Sequence, residues 1–130
     1  MAFSVTFSRS TPIDISQSLA IKFDSVTTNL GDAYDPHTGI FTAPTSGVYA
    51  FFLSARVAFQ HSWVSVSIVR STTVLASIIV EGDNVVHYDK GSCAATVHLN
   101  QGDTVHVQRM GGDSHISFSF FSGLLISADL

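Results

Sequence analysis

Turn signals are concentrated in residues 34–51, and they constrain the fold of this chain more than any other stretch. Asp35-Pro36 opens a first turn, because proline fixes φ and an aspartate side chain can bond to the backbone two residues further on. Gly39 can adopt a positive φ in that turn at little cost. A second proline and Gly47 repeat the pattern just before an aromatic segment. The stretch therefore predicts a turn, a short strand, a second turn and a long strand.

Apolar and polar residues alternate with period two along most of the chain, which is typical of half-buried β-strands. Residues 48–52 are apolar on both faces, so we expect that part of the long strand to be buried on both sides. The apolar run 74–80 predicts a central strand, and a slip in the alternation predicts a bulge near residues 122–123. Eight to ten short strands without an ordinary helix indicate an all-β antiparallel sandwich or jelly roll. The residues expected in the core or at a subunit interface are Tyr49, Phe51, Val64, Val66, Ile68, Val97, Leu99, Val105, Phe118 and Leu125.

Length and charge limit the classes of function. A chain of 130 residues is expected to form one domain, over residues 1–130. Only 12% of the residues are charged and the formal net charge is −4, so no basic patch is expected and nucleic-acid binding is disfavoured. Low charge together with a positive mean hydropathy indicates that some apolar surface is buried between subunits.

Other features bear on the compartment without deciding it. No segment approaches the ~20 apolar residues of a membrane helix, so membrane insertion is not expected. Residues 1–5 lack the basic start and apolar core of a signal peptide, which leaves a cytosolic protein or a mature domain without its leader. Cys93 is the only cysteine, so no intrachain disulfide can form, and we interpret it as a buried, unreactive thiol.

Five sequence blocks carry a resemblance to a known family, and they occur in the family's order: residues 2–5, 23–35, 38–51, 99–105 and 121–125. On these blocks the chain resembles the C1q globular domains, which belong to the tumour-necrosis-factor-like jelly rolls. The resemblance implies a ten-stranded antiparallel jelly-roll sandwich, a homotrimer and an extracellular recognition role without enzymatic activity. It also implies a secreted, lectin-like pattern-recognition protein of innate immunity, since head-only members of the family bind microbial glycans and related ligands.

The chain departs from the family pattern at a few positions. Ser46 stands where the family usually has proline, Ala43 replaces a frequent cysteine, and His106 replaces a common aromatic residue. The collagen-like stalk of many members is absent from this sequence. We therefore do not expect avidity through stalk bundling, whereas the predicted fold is unaffected.

An acidic loop over residues 81–89 is the candidate metal site. Carboxylates on a flexible loop suit Ca²⁺, which prefers oxygen ligands. The resemblance places Glu81 and Asp89 at positions that bind calcium near the trimer axis in some members, while Gly82 stands at the second acidic position and Asp83 follows it. The loop is either such a calcium site, built from Glu81, Asp83 and Asp89, or a solvated turn between strands.

His98 and His106 flank the turn at Gly102-Asp103. If their strands pair as a hairpin, the two imidazoles come close enough for a Zn²⁺ or Cu²⁺ site or a pH-sensitive interface. The alternative is a pair of ordinary hydrogen-bonded histidines, because the spacing matches no metal signature.

A sugar site is the third candidate. Sugars are held by planar polar groups beside an aromatic face. The residues predicted to bind such a ligand are His87, Tyr88, Arg109, Asp113, His115 and Trp63. Core or interface packing is the alternative role for Trp63.

Two function hypotheses follow, and neither is an enzyme, because no nucleophile elbow, phosphate loop or Cys-His signature is present. The first is the glycan-binding immune protein described above, assisted by calcium or acting without it. The second is an extracellular structural or metal-binding protein that uses its histidines and acidic loop for divalent cations and has no sugar specificity.

Overall fold

Every regular element in the described part of the chain is a β-strand. The computed structural model describes residues 1–8, 11–16, 19–58, 63–81 and 90–130. The strands are β1 (Ala2–Thr6), β2 (Ile13–Asp14), β3 (Ser25–Leu30), β4 (Tyr34–Asp35), β5 (Ile40–Thr42), β6 (Gly47–Val57), β7 (Trp63–Arg70), β8 (Thr73–Glu81), β9 (Lys90–Leu99), β10 (Thr104–Gly112) and β11 (His115–Ala128).

The strands form two antiparallel sheets. The six-stranded sheet has the order β3-β1-β11-β6-β9, with β2 added beside β11. The five-stranded sheet has the order β4-β5-β10-β7-β8. The predicted all-β jelly-roll sandwich is confirmed. The described residues form eleven strands instead of the expected ten, and two of the eleven are only two residues long.

An aromatic core holds the two sheets together. Phe3 of the six-stranded sheet stacks on Tyr34 and Phe41 of the other sheet, each with ring centroids 5.3 Å apart. Phe51 contacts Phe41 at 5.3 Å and Phe121 at 6.0 Å. All five side chains are buried, because alternate residues of each strand point between the sheets.

The turn-rich stretch 34–51 forms the predicted elements, with different roles for its two glycines. The Asp35 carboxylate accepts a hydrogen bond from the His37 amide at 2.8 Å, and Gly39 has φ +77°, which confirms the first turn. Gly47 instead begins β6 without a positive φ, and a Cβ there would lie 2.4 Å from the Ser127 carbonyl oxygen. Gly47 is thus needed for the close approach of two strands.

Several sequence predictions of detail are wrong. The apolar run 74–80 forms β8, which is the edge strand of the five-stranded sheet, and Ile79 is 67% exposed. The irregularities in β11 lie between Ser117 and Phe120 and between Leu125 and Ser127, instead of near residues 122–123. The position of a strand in its sheet and the position of a bulge both depend on partner strands distant in sequence, which the local residue pattern does not encode.

The predicted core is largely confirmed. Tyr49, Phe51, Val64, Val66, Ile68, Leu99 and Val105 are buried, and Val97 and Leu125 pack against them. Phe118 is the exception within the protomer, since it has φ +38° and is 60% exposed. Phe52 is also exposed, so the start of β6 is not buried on both sides in a single chain.

Candidate functional site

One end of the sandwich collects polar and aromatic side chains from several strands. Trp63 begins β7 and lies opposite Glu81, the last residue of β8. The last residue of β10, Gly112, pairs with Val64 next to Trp63, and β11 begins three residues later at His115. We call the side chains of Trp63, Glu81, Arg109, Asp113 and His115 at this end the Trp63 surface.

The Trp63 indole lies against glycine backbone. A Cβ built at Gly111 would be 3.3 Å from Cη2 of the indole, and one at Gly112 would be 2.8 Å from Cε3. Gly112 also has φ +81°, a conformation that side chains other than glycine adopt with strain. The two glycines therefore support one part of the indole, while Trp63 as a whole remains 50% exposed.

Arg109 holds the loop between β10 and β11 in place. Its Nε donates to the Asp113 carbonyl at 2.9 Å, and its Nη2 donates to the Gly112 carbonyl at 2.6 Å. The Asp113 amide donates to the Trp63 carbonyl at 2.7 Å. A bulge between Arg109 and Gly111 sets this geometry. Two of the guanidinium nitrogens are thus occupied by the loop itself.

His115 lies between two carboxylates. Its Nδ1 is 3.0 Å from the Ser114 hydroxyl and 4.0 Å from the Asp113 carboxylate. Asp14 is directly opposite His115 in the pairing of β2 with β11. Hydrogen bonds from Ser16 lower the pKa of Asp14, and the nearby His115 contributes in the same direction. This corner of the Trp63 surface is therefore rich in hydrogen-bond acceptors.

Comparison with known proteins gives the family. The profile of the C1q domain matches residues 2–126. The chain belongs to the C1q-domain family. Caprin-2 of zebrafish (Danio rerio) is 31% identical over 112 residues, which is 84% of this C1q domain and 12% of that protein. The chain thus spans about an eighth of the length of this curated relative.

Solved structures agree with the fold. The globular domain of zebrafish complement 1qA has a TM-score of 0.74 and 21% identity, covering 98% of both chains. Eiger TNF from S. frugiperda has a TM-score of 0.78 and 16% identity, covering 100% of this chain and 94% of that chain. Murine APRIL has a TM-score of 0.72 and 13% identity, covering 96% of this chain and 98% of that chain. C1q domains are in general non-enzymatic binding modules that form trimers, and C1q-domain proteins are typically extracellular.

The structure brings some of the predicted ligand-binding residues together and leaves others undescribed. Hydrogen bonds connect four of the positions: the Asp113 amide donates to the Trp63 carbonyl, Arg109 donates to the Asp113 carbonyl, and the His115 amide donates to the Asp113 carboxylate. His87 and Tyr88 lie outside the described residues. Sequence reasoning missed the supporting roles of Gly111, Gly112 and Asp14. A Gly-Gly-Asp triplet at a strand end was the available signal, although its partner Trp63 is distant in sequence.

The predicted calcium site rests mostly on residues that are not described. Glu81 ends β8 and is exposed, whereas Asp83 and Asp89 lie outside the described residues. Among the residues that are described, no three His, Cys, Asp or Glu side chains cluster as a metal site would require. The calcium site stays a prediction.

The joint metal site of His98 and His106 does not form, and the alternative of two ordinary hydrogen-bonded histidines is confirmed. β9 belongs to the six-stranded sheet and β10 to the five-stranded sheet, so the turn at Gly102-Asp103 crosses between sheets instead of closing a hairpin. His98 contacts the Asp129 carboxylate through Nε2 at 2.9 Å. His106 contacts the Gln108 amide oxygen at 3.1 Å. Each imidazole therefore has its own partner, and the two do not form a joint metal site.

Two further findings bear on Cys93 and on membranes. Cys93 is half-buried and free, and desolvation raises the pKa of its thiol, which agrees with an unreactive group. Within the described ranges of this C1q domain, no helix is long and apolar enough to span a bilayer.

Proposed function

We propose that this C1q domain is a secreted, non-enzymatic recognition protein of innate immunity that binds microbial glycans at the Trp63 surface. The observation that carries the proposal is the half-exposed Trp63 indole, held beside a loop fixed by Arg109 and Asp113. A sugar ring presents an apolar face to an aromatic side chain and hydroxyl groups to the polar groups around it. The Trp63 surface offers both kinds of contact side by side.

The acceptors at the Trp63 surface favour a ligand rich in hydroxyl groups. Glu81 lies directly opposite Trp63 in the pairing of β7 with β8, and the Asp113 carboxylate accepts a hydrogen bond from the His115 amide in the loop that contacts the Trp63 backbone. Arg109 acts mainly by holding the loop, because two of its nitrogens are already engaged. By chain order alone, His87 and Tyr88 follow Glu81, and we retain them as proposed contacts of the same site.

Calcium assistance is part of the proposal. Glu81 is an exposed carboxylate at the Trp63 surface, and Asp83 and Asp89 follow it in the connection to β9. Ca²⁺ held by these oxygens would bind sugar hydroxyls directly, since such ions take oxygen ligands in flexible numbers. Removal of calcium then weakens glycan binding without unfolding the protein.

A homotrimer would present several copies of the site. Phe52, Phe120 and Leu124 are exposed on the outer side of the six-stranded sheet, where β6 and β11 lie side by side. We call these three side chains and the neighbouring Ala94 the apolar face. Exposed apolar clusters of this kind mark subunit interfaces. Association through the apolar face gives multivalent binding of a microbial surface.

A glycan array tests the proposal. We expect the wild-type protein to bind glycans more strongly with Ca²⁺ than with a chelator. Trp63→Ala should weaken binding roughly two- to tenfold, because stacking on an aromatic ring contributes on the order of 0.5–1.5 kcal/mol. Val74→Ala is the matched control, since Val74 is a similarly exposed apolar residue at the opposite end of β8, and it should bind like the wild type.

The outcomes separate the two function hypotheses. Absence of glycan binding in both conditions contradicts the proposal, and unchanged binding by Trp63→Ala contradicts the assigned site. Calorimetry with Ca²⁺, Zn²⁺ and Cu²⁺ then examines the alternative. Tight metal binding without any glycan binding would favour the extracellular structural or metal-binding protein.

A further inference from the structure

A cavity on the five-stranded sheet is separate from the Trp63 surface. It has a volume of about 530 Å³, within the range of ligand sites for small molecules. Its lining shares no residue with the Trp63 surface. The residues that line it are Leu19, Ala20, Lys22, His37, Thr38, Ile40, Ser71, Thr104 and His106.

Strand pairing places the floor of this cavity on the outer side of the sheet. His106 of β10 is directly opposite Ile40 of β5. Their neighbours Val105 and Phe41 are buried in the core, so His106 and Ile40 point away from it. The apolar face lies on the other sheet, and association through that face would leave the cavity open.

Backbone contacts fix the walls. The Ile21 amide donates to the Val107 carbonyl at 2.8 Å, which holds residues 19–22 beside β10. The turn at Gly39 rests on the same segment, because a Cβ at Gly39 would be 2.5 Å from the Ile21 carbonyl oxygen. Residues 19–22 and the turn at Gly39 are thus in direct contact at the edge of the cavity. The cavity is built into the fold and does not depend on a single side chain.

The charge of the lining is positive in a chain whose net charge is −4. Lys22 lines the cavity, and no aspartate or glutamate of the described ranges does. Among the described residues, Lys22 takes part in no ion pair. The nearest carboxylates along the chain have other partners: Asp24 accepts hydrogen bonds from Ser8, and Asp35 accepts one from the His37 amide. The Lys22 ammonium is therefore available to an anion.

The rest of the lining divides into polar and apolar parts. His106 is buried at the floor and its Nε2 donates to the Gln108 amide oxygen, so its ring is fixed. The hydroxyls of Thr38, Ser71 and Thr104 also reach the cavity. Leu19, Ala20 and Ile40 supply apolar surface, and Leu19 is 71% exposed, so a ligand in the cavity can cover it.

We propose that this cavity binds a small amphipathic carboxylate. The carboxylate meets the Lys22 ammonium in a charge-assisted hydrogen bond, with the nearby hydroxyls as further donors. The apolar part of the ligand lies against Leu19 and Ile40 and removes their surface from water. A cation is disfavoured because the described residues of the lining include no acidic group to accept it.

Calorimetric titration with octanoate, 1-octanol and octylamine tests the proposal on the whole chain. We expect saturable binding of octanoate, with weaker binding of octanol and weaker still of octylamine. Lys22→Gln should reduce octanoate affinity at least about tenfold and leave octanol unchanged. Leu19→Ala should weaken octanoate and octanol alike. Both positions are exposed, so neither variant disturbs the core.

Lys90→Gln is the matched control, because Lys90 is an exposed lysine at the start of β9 in the other sheet. It should bind octanoate like the wild type. The proposal is overturned if octanoate shows no saturable binding, if Lys22→Gln binds it as tightly as Lys90→Gln does, or if octylamine binds equally well. Glycan binding at the Trp63 surface is measured separately and does not depend on this result.

Discussion

The Asp113 amide donates a hydrogen bond of 2.7 Å to the Trp63 carbonyl, which ties the start of β7 to the loop after β10. The backbone of Gly112 passes so close to Trp63 that a Cβ at Gly112 would lie 2.3 Å from the same carbonyl oxygen, so only glycine fits at this position without a shift. The position of the indole and the conformation of the loop are therefore set together. We therefore expect a substitution in the loop to move the indole, and a substitution of Trp63 to alter the loop.

Gly112→Ala should destabilise the fold and weaken glycan binding together. The new methyl group meets the Trp63 backbone and the residue keeps φ +81°, so we expect a loss of about 2–4 kcal/mol in the free energy of unfolding. Chemical denaturation and glycan binding measure the two effects.

Gly102→Ala is the control for backbone strain. Gly102 has φ +92°, and a Cβ there would meet no atom within 4 Å. We expect only the cost of the left-handed conformation, about 1–2 kcal/mol, with glycan binding unchanged. Equal losses in the free energy of unfolding for Gly112→Ala and Gly102→Ala would mean that the clash with Trp63 does not contribute to the cost.

Tyr34→Phe should destabilise the core through a lost hydrogen bond. The Phe23 amide donates to the Tyr34 hydroxyl at 3.1 Å in a buried environment. Without that oxygen the amide has no such acceptor, and an unsatisfied buried donor costs about 1–3 kcal/mol. Urea denaturation of the variant and the wild type at neutral pH gives the difference directly, and equal midpoints would contradict the role assigned to this hydroxyl.

The same tyrosine makes stability depend on alkaline pH. Burial raises the pKa of Tyr34 to about 12, from an ordinary value of 10.0. The unfolded state therefore loses its proton first, and stability falls as the pH rises from about 10 to about 12, by up to about 2–3 kcal/mol. Denaturation series between about pH 10 and pH 12 should show the free energy of unfolding falling with pH in the wild type and falling less in Tyr34→Phe. Identical pH dependence in the two proteins would contradict the role assigned to Tyr34.

Phe52→Glu should dissociate the proposed trimer. Phe52 is 42% exposed in one chain and belongs to the apolar face, so a charge there would be buried without a partner on association. Light scattering at micromolar concentration should give about three times the 13.9 kDa of one chain for the wild type and one chain mass for the variant. Met110→Glu, an exposed apolar residue on the other sheet, should remain trimeric. A monomeric wild type would refute the trimer.

Phe51→Ala should cost about 3–5 kcal/mol, because it leaves a cavity in the aromatic core. Phe51 is fully buried and contacts Phe41, Tyr49 and Phe121. Phe118→Ala removes the same ring from a largely exposed position and should cost much less. Thermal denaturation of both variants makes the comparison, and similar losses would contradict the assignment of Phe51 to the core.

Much of the fold could be predicted from local pattern. Asp35 and Gly39 form the expected turn, because side-chain capping and positive φ are properties of single residues. Gly47 was predicted as a turn residue for the same reason, yet it is required by contact with Ser127 at the far end of the chain. A glycine signals backbone freedom in the sequence, and only its neighbours in space show how that freedom is used.

The candidate site was predictable in its residue types and not in its assembly. Trp63, Arg109 and Asp113 were selected because aromatic and planar polar groups suit sugars. Their contacts with one another arise from strand pairing between β7 and β10, which no local pattern encodes. The same limit explains why the sequence left open whether His98 and His106 meet, since their two strands are consecutive in the chain but belong to different sheets.

The sequence by itself determined the all-β class, the family and the turns around residues 34–51, because alternation and turn chemistry act over a few residues. The tertiary structure alone decided which strands share a sheet. That choice separated His98 from His106, placed Trp63 beside Asp113, and opened the cavity lined by Lys22. Each of these results depends on the burial of apolar faces between distant strands, and that burial is a property of the whole chain.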